Sequence, residues 1–193
     1  MKAAAGEIKR AVLAVILLSI LLCVIYPLAV WGIGQLLFSE KANGSILVRE
    51  KEIAGSVLIA QQFTSPVYFH SRPSAVAYAN SGADSGGSNL GPLSKLLQDQ
   101  VMALIIDYRK ENALAASFPI AADAISTSAS GLDPHISPAN AYSQAARVAR
   151  ARGLSQDQVM SMIRLHLEER QLGIFGEERV NVLLLNLALD GHE

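Results

Sequence analysis

The side chains best suited to bind a metal ion or to transfer a proton are four histidines, His70, His135, His166 and His192. They never occur as a His-x-His or a His-Glu-x-x-His pair, and the single cysteine, Cys23, lies inside an apolar run, so no local zinc motif is formed. A metal site built from distant residues stays open as an alternative. His166 falls on the apolar face of a predicted helix, where a histidine packed in the core is the commoner outcome.

Nucleophilic catalysis is the second chemistry to consider, because serines are plentiful. The chain has no Gly-x-Ser-x-Gly motif. Ser130, Asp133 and His135 could supply a triad, but three members this close in sequence rarely reach triad geometry. We therefore predict that the chain is not an enzyme.

The glycine-rich segment Ser85–Asn89 could form a nest of backbone N–H groups for a phosphate. It lacks the Gly-Lys-Ser/Thr of a phosphate-binding loop, and with it the lysine that would reach a nucleotide's phosphates. The favoured interpretation is a plain turn in which Ser88 or Asn89 caps the helix that follows.

Three arginines, Arg147, Arg150 and Arg152, lie on the polar side of a predicted helix, with Gln144 one turn before Arg147. Such a face is usually solvated. It could instead dock on a partner, since arginine and glutamine can bond backbone and carboxylate groups. We expect alanine substitutions of Gln144 and Arg147 to lower assembly with a partner and to leave the melting temperature nearly unchanged.

An uncharged apolar run over residues 11–38 determines where the rest of the chain lies. A bilayer needs only about 20 apolar residues, so the run is long enough for a transmembrane helix, which Pro27 would kink. Lys2, Lys9 and Arg10 precede the run, which places residues 1–10 in the cytoplasm and residues 39–193 outside it. The alternative is a cleaved signal peptide with Val30 and Gly32 as its small-residue cleavage pair, but the apolar run continues too far for a signal peptide.

The residues after the run predict one compact α+β domain, which must be held by its core because a single cysteine allows no internal disulfide. Its net charge and placement exclude a nucleic-acid partner, although residues 138–168 have a helix–turn–helix outline. Caps and apolar periodicity predict the following elements: a hairpin of Ser45–Val48 and Ile53–Ala60, a short strand at Ala124–Ser128, and helices over residues 92–112, 138–152, 155–168 and 179–190, the last of which could also be a buried strand.

The least generic segment is Ser128–Pro138, which combines small residues, a glycine, an Asp-Pro turn and two prolines. Such a stiff loop serves recognition more often than catalysis. At this segment the chain closely resembles the KdpC family, the C subunits of the Kdp potassium-transporting P-type ATPase. The other matching pieces are Gln144-x-x-Arg147-Val148-Ala149-x-x-Arg152, Gly55-Ser56, Gln61-x-Phe63, Tyr68–Ala75, Ser85–Leu90, Val180–Asp190 and Tyr26-Pro27-Leu28. Ala60 departs from the pattern, since the family usually has glycine there.

The resemblance implies a single-pass protein of the bacterial inner membrane with a periplasmic domain. It implies three partners: a potassium-channel-like subunit, a P-type ATPase subunit and a small membrane subunit. Family members are described as catalytic chaperones that raise the ATP affinity of the ATPase subunit. We expect no cofactor on this chain, with ATP and potassium handled by the complex and any ATP effect transmitted through it.

The candidate partner-contact or family-motif residues are Ser88, Asn89, Ser130, Gly131, Asp133, His135, Gln144 and Arg147. No catalytic residue and no metal ligand is assigned. The alternative function, from another class, is a membrane-anchored extracytoplasmic enzyme or ligand-binding domain that acts alone.

Overall fold

The computed structural model describes residues 2–49, 51–76, 82 and 84–191. The chain divides into two compact units, Met1–Ile46 and Leu47–Glu193. The α+β class predicted from the sequence is confirmed, with an apolar N-terminal helix followed by a mixed domain of helices and small sheets. His192 lies outside the described residues.

The first unit is a long apolar helix. It comprises α1 (Lys2–Ile20), a π turn (Leu21–Ile25) and α2 (Tyr26–Leu37), followed by the short α3 (Ser39–Ala42). The 33 residues Ala5–Leu37 are long and apolar enough to cross a membrane.

The π turn adjusts the helix to Pro27. Tyr26 donates its N–H to the carbonyl of Leu21, five residues earlier, and Pro27 has no N–H to give. Since residue 27 would have bonded the carbonyl of Cys23 in a regular α-helix, the proline leaves that carbonyl without its usual donor.

The second unit contains five helices and five strands among its described residues, with β1 beginning one residue before the division. The helices are α4 (Lys95–Asn112), α5 (Ala122–Ile125), α6 (Pro138–Arg152), α7 (Gln156–Leu165) and α8 (Val182–Leu189); the strands are β1 (Ile46–Arg49), β2 (Glu52–Ser56), β3 (His135–Ile136), β4 (Leu167–Glu168) and β5 (Arg179–Asn181).

Two small sheets form. Strands β1 and β2 pair as the predicted hairpin, although β2 ends before the predicted Ala60. Strand β5 lies between β3 and β4 and is antiparallel to both, with Val180 opposite Ile136 on one side and Leu167 on the other. The core packs this sheet against α6, α7 and α8. Its buried members are Phe69, Ile136, Ala141, Ala145, Val148, Ala149, Val159, Ile163, Val180, Val182 and Leu185.

The predicted caps of α6 and α7 are confirmed. The Ser137 hydroxyl accepts from the N–H of Asn140, Gly153 ends α6 at φ +68°, and Ser155 with Gln158 forms a capping box. Helix α4, in contrast, begins three residues later than predicted, with Ser94 as its N-cap. The predicted cap at Ser88 or Asn89 is therefore wrong.

Two further predictions are wrong in part. The predicted strand at Ala124–Ser128 is the helical turn α5, because Asp123 turns towards α6 and accepts from the N–H and hydroxyl of Ser137 at 2.8 and 2.7 Å. The predicted C-terminal helix begins with three residues of strand, β5, and becomes helical at Val182.

Candidate functional site

Residues 57–76 contain neither helix nor strand, yet part of this stretch crosses the core. Phe69 is fully buried there. Because a buried backbone must find hydrogen-bond partners, the neighbouring helices have to supply them. They do so at Pro66–His70, which we call the clamped segment.

Two side-chain amides pair with the clamped segment as a neighbouring strand would. Gln144 on α6 accepts from the N–H of His70 at 2.8 Å and donates to its carbonyl at 3.1 Å. Asn186 on α8 accepts from the N–H of Phe69 at 2.8 Å and donates to its carbonyl at 2.9 Å. Both amides are buried, at 1% and 2% exposure. The consecutive residues Phe69 and His70 are thus bonded by two different helices, α8 and α6.

Arg147 completes the clamp from α6. Its Nη1 donates to the carbonyls of Pro66 and Tyr68 at 2.8 and 2.9 Å, and its Nη2 donates to Oε1 of Gln144 at 2.8 Å. Its Nε donates to Oδ1 of Asn112 on α4 at 3.0 Å. Burial lowers the pKa of the guanidinium, which remains far above neutrality because arginine does not lose its proton in proteins.

The prediction of a solvated or docking face is wrong for Gln144 and Arg147, which are 1% and 5% exposed. It holds for Arg150, which is exposed on the same helix. The reason is that α6 packs against irregular chain, whose unpaired carbonyls require donors on the inner face of the helix.

Arg152 fixes the C-terminal helix to the same segment. It donates to the carbonyl of Val67 at 2.6 Å and to the carbonyl of Leu189 at 2.9 Å. It also donates to Asp190 at 2.8 Å, and its guanidinium lies 4.9 Å from the ring centre of Tyr68.

Helix α4 contacts the clamped segment through Glu111. Its carboxylate is 2.7 Å from Nδ1 of His70. This hydrogen bond lowers the pKa of Glu111, burial opposes the change, and the charges of His70 and Arg147 add to it. On the previous turn, the Tyr108 hydroxyl donates to Oδ1 of Asn140 at 2.8 Å, and burial raises the pKa of Tyr108.

The loop Ser128–Pro138 is held by Asp133. Its Oδ2 accepts from Nη1 of Arg72 at 2.8 Å and its Oδ1 accepts from the N–H of His135 at 3.0 Å. Burial disfavours the charged form of Asp133, but the hydrogen bonds from His135 and Arg72 outweigh it and lower the pKa to about 2. The ring of His135 lies 3.6 Å from Asp133 and 3.6 Å from Glu168, between the loop and β4.

The glycine-rich segment Ser85–Asn89 lies against this loop. The N–H of Gly86 and the hydroxyl of Ser85 both donate to the carbonyl of Ser130, at 2.8 and 3.0 Å. The Gly86 amide that a phosphate nest would require is therefore already used. Ser88 is half-buried and Asn89 is exposed with φ +53°.

Gly131 has to be glycine. Its φ is +71°, and a β-carbon there would lie 2.5 Å from Cγ2 of Val76, 2.8 Å from the carbonyl oxygen of Gly86 and 2.9 Å from the hydroxyl of Ser74. The hydroxyl of Ser130 accepts from the N–H of Leu132 at 3.1 Å and so stabilises a local turn.

The structure thus brings the candidate residues into two groups: Gln144 and Arg147 at the clamped segment, and Ser130, Gly131, Asp133 and His135 in the loop beside Ser85–Asn89. Sequence analysis missed three residues with the same kind of role, Arg72, Asn140 and Asn186, and it placed Arg152 on a solvated or docking face although that side chain is largely buried. Three of these four, Arg72, Arg152 and Asn186, belong to the motifs quoted above, which was the available signal. Among the described residues, no group of three His, Cys, Asp or Glu side chains is placed to hold a metal ion.

These features define a class of protein. A helix long enough to span a membrane is followed along the chain by an α+β domain, and in that domain the motif residues hold irregular segments against helices. Comparison with known proteins identifies the family. The family of K+-transporting ATPase c chains, KdpC, matches residues 8–191. The chain belongs to the KdpC family.

Individual relatives agree over most of their length. The potassium-transporting ATPase KdpC subunit of Koribacter versatilis is 48% identical over 180 residues, 93% of this chain and 92% of the relative. That of Mycobacterium tuberculosis H37Rv is 47% identical over 184 residues, 95% and 97% of the two chains. That of Myxococcus xanthus is 52% identical over 167 residues, 86% and 79% of the two chains.

Proposed function

We propose that this chain is a non-catalytic accessory subunit of a high-affinity, ATP-driven potassium import complex. It assembles and stabilises the complex and modulates its ATPase subunit. The observation that carries the proposal is the family match over residues 8–191, which includes both the apolar helix and the domain. A match limited to the domain would be weaker support for this function.

The geometry supports a scaffolding role. Ionisable side chains at the clamped segment and in the loop Ser128–Pro138 pair with nearby charged side chains or backbone groups, as His70 does with Glu111 and Asp133 with Arg72. Such pairing fixes the shape of a surface and leaves these side chains committed to the fold.

The proposed topology follows from charge. Lys2, Lys9 and Arg10 precede the apolar helix, which supports a cytoplasmic N-terminus and a periplasmic domain in this proposal. The partners in this proposal are the channel-like subunit, the P-type ATPase subunit and the small membrane subunit. ATP affinity would then change through the assembled complex, as a coupling between distant sites.

The test uses cells that carry the other subunits and lack this chain. Supplying the full chain should restore growth at limiting potassium and should allow the membrane subunits to be recovered with it from detergent extracts. Protease added to spheroplasts should digest the domain and spare the N-terminus. Full potassium uptake without the chain, or a domain protected in intact spheroplasts, would contradict the proposal.

A further inference from the structure

A short hairpin between β4 and β5 ends in an exposed apolar turn, Gln171–Phe175, which we call the hairpin tip. Gln171 and Phe175 exchange two backbone hydrogen bonds of 2.9 Å and so close a three-residue loop. Leu172, Ile174 and Phe175 are 87%, 73% and 62% exposed. Single exposed apolar residues are common on protein surfaces, but three at one turn mark a contact surface.

The backbone of the hairpin tip gives a second, independent observation. Leu172 has φ +55°, in the left-handed region that glycine and asparagine tolerate and that a branched side chain such as leucine disfavours. Leucine is therefore unfavourable at this position in two ways: its backbone conformation is strained, and its apolar side chain is exposed to water. Neither the folding nor the solubility of the domain explains a leucine there, which points to a role in contact with another molecule.

The hairpin tip is held in place. Glu168 lies opposite Arg179 in the β4–β5 ladder, and their side chains form an ion pair of 2.9 Å. Arg170 and Glu177 form a second ion pair of 2.5 Å nearer the tip. A preformed projection loses less conformational entropy on binding than a flexible loop does.

The charges beside the hairpin tip indicate what covers it. Four carboxylates, those of Glu168, Glu169, Glu177 and Glu178, stand against two arginines, Arg170 and Arg179. Both arginines are paired, and among the described residues Glu169 and Glu178 form no ion pair. An anionic lipid surface would repel this set, whereas a basic protein surface would attract it.

We propose that the hairpin tip inserts Leu172, Ile174 and Phe175 into an apolar pocket, bordered by lysine or arginine side chains, on the extracytoplasmic surface of an integral-membrane subunit of the transporter. This inference rests on the proposed function. The apolar side chains supply the buried centre of the contact, and Glu169 and Glu178 supply its polar rim.

The experiment compares variants of the full chain in the detergent-solubilised complex. Leu172→Asn removes the apolar side chain and relieves the left-handed strain, so the melting temperature should stay equal or rise. Combined with Ile174→Ser, it should lower recovery of the membrane subunits roughly tenfold. The matched control is Leu93→Asn, at a leucine that is 92% exposed outside the hairpin, and it should leave recovery unchanged. Glu169→Lys with Glu178→Lys should also lower recovery.

Several outcomes would overturn the inference. Full recovery with the tip variant would show that the tip makes no contact that holds the complex, while the proposed function stood. An equal loss with Leu93→Asn would show a general effect of surface change. If the variant assembled normally but lost binding to vesicles of phosphatidylethanolamine and phosphatidylglycerol, the tip would contact lipid. Failure of the unaltered chain to bring down any membrane subunit would overturn the proposed function itself.

Discussion

Gln144 forms with His70 both hydrogen bonds that a backbone neighbour in a sheet would form, accepting at 2.8 Å and donating at 3.1 Å. One residue earlier, Asn186 repeats the arrangement with Phe69 from a different helix. Buried irregular chain is therefore paired as fully as a strand, with side-chain amides in place of a second strand.

The first prediction concerns the stability of this clamp. Arg147→Ala would leave the carbonyls of Pro66 and Tyr68 buried without donors, so we expect the free energy of unfolding to fall by roughly 3 kcal/mol. Gln144→Ala should cost about 2 kcal/mol for the same reason. Urea unfolding of the domain over residues 39–193 measures both. This replaces the expectation of an unchanged melting temperature, which assumed exposed side chains.

Arg150→Ala is the matched control, because Arg150 lies on the same helix and is exposed. It should change the free energy of unfolding by no more than about 0.5 kcal/mol. Equal stability of the Arg147 and Arg150 variants would refute the clamp. If the Arg147 variant still folds at low temperature, its recovery in the complex shows whether the clamped segment also shapes a partner surface.

The second prediction concerns acid stability. The pKa of Asp133 is lowered from 3.8 to about 2 by hydrogen bonds from His135 and Arg72. Because the folded-state value lies below the unfolded one, the ionised carboxylate stabilises the fold above about pH 4, and this contribution, on the order of 2 kcal/mol, is lost as the pH falls towards 2. In Asp133→Asn the loss over that interval should be smaller by this amount. Urea titrations at several pH values would measure it, and parallel curves for the two proteins would contradict it.

The third prediction compares two glycines of similar conformation. Gly131 and Gly153 have φ +71° and +68°, but a β-carbon at Gly153 meets nothing within 4 Å. Gly153→Ala should therefore cost only the left-handed strain, about 1 kcal/mol, whereas Gly131→Ala should cost at least about twice that, because Val76 and Gly86 would have to move. Equal melting temperatures of the two variants would show that the loop Ser128–Pro138 is looser than its contacts indicate.

The fourth prediction concerns ATP. The segment Ser85–Asn89 has no lysine, and its Gly86 amide already bonds Ser130. We expect the domain over residues 39–193 to bind ATP with a Kd on the order of millimolar or weaker, equivalent to about 4 kcal/mol. Calorimetric titration is the measurement. Micromolar binding that disappears in Ser88→Ala with Asn89→Ala would instead indicate direct nucleotide contact.

Local signals were sufficient for much of the fold. The caps at Ser137, Gly153 and Ser155 were predicted because each depends on residues three or four positions away. The roles of Gln144 and Arg147 were not, because a helical pattern places polar residues outside unless irregular chain packs against them. Their partners in the clamped segment lie 74 to 81 residues away, and no local pattern contains that information.

Position errors had similar causes. Ser94 rather than Ser88 caps α4, where its hydroxyl accepts from the N–H of Leu97. Ser88 belongs instead to the segment Ser85–Asn89, which is bonded to the carbonyl of Ser130 through Ser85 and Gly86. The helical turn α5 was mistaken for a strand because Asp123 accepts a hydrogen bond from Ser137, which is fourteen positions away.

The π turn at Leu21–Ile25 has a consequence for how the N-terminal helix meets its surroundings. Each residue of an α-helix turns the next side chain by about 100°, so one inserted residue rotates everything beyond it by about that angle. In an uninterrupted α-helix the side of Val12 would be met again at Val30, because 18 residues make five whole turns, but the inserted residue moves that position to Trp31. The apolar stripes of the two halves are therefore out of register by one residue. A heptad count carried through Pro27 would assign the wrong residues to a packing seam.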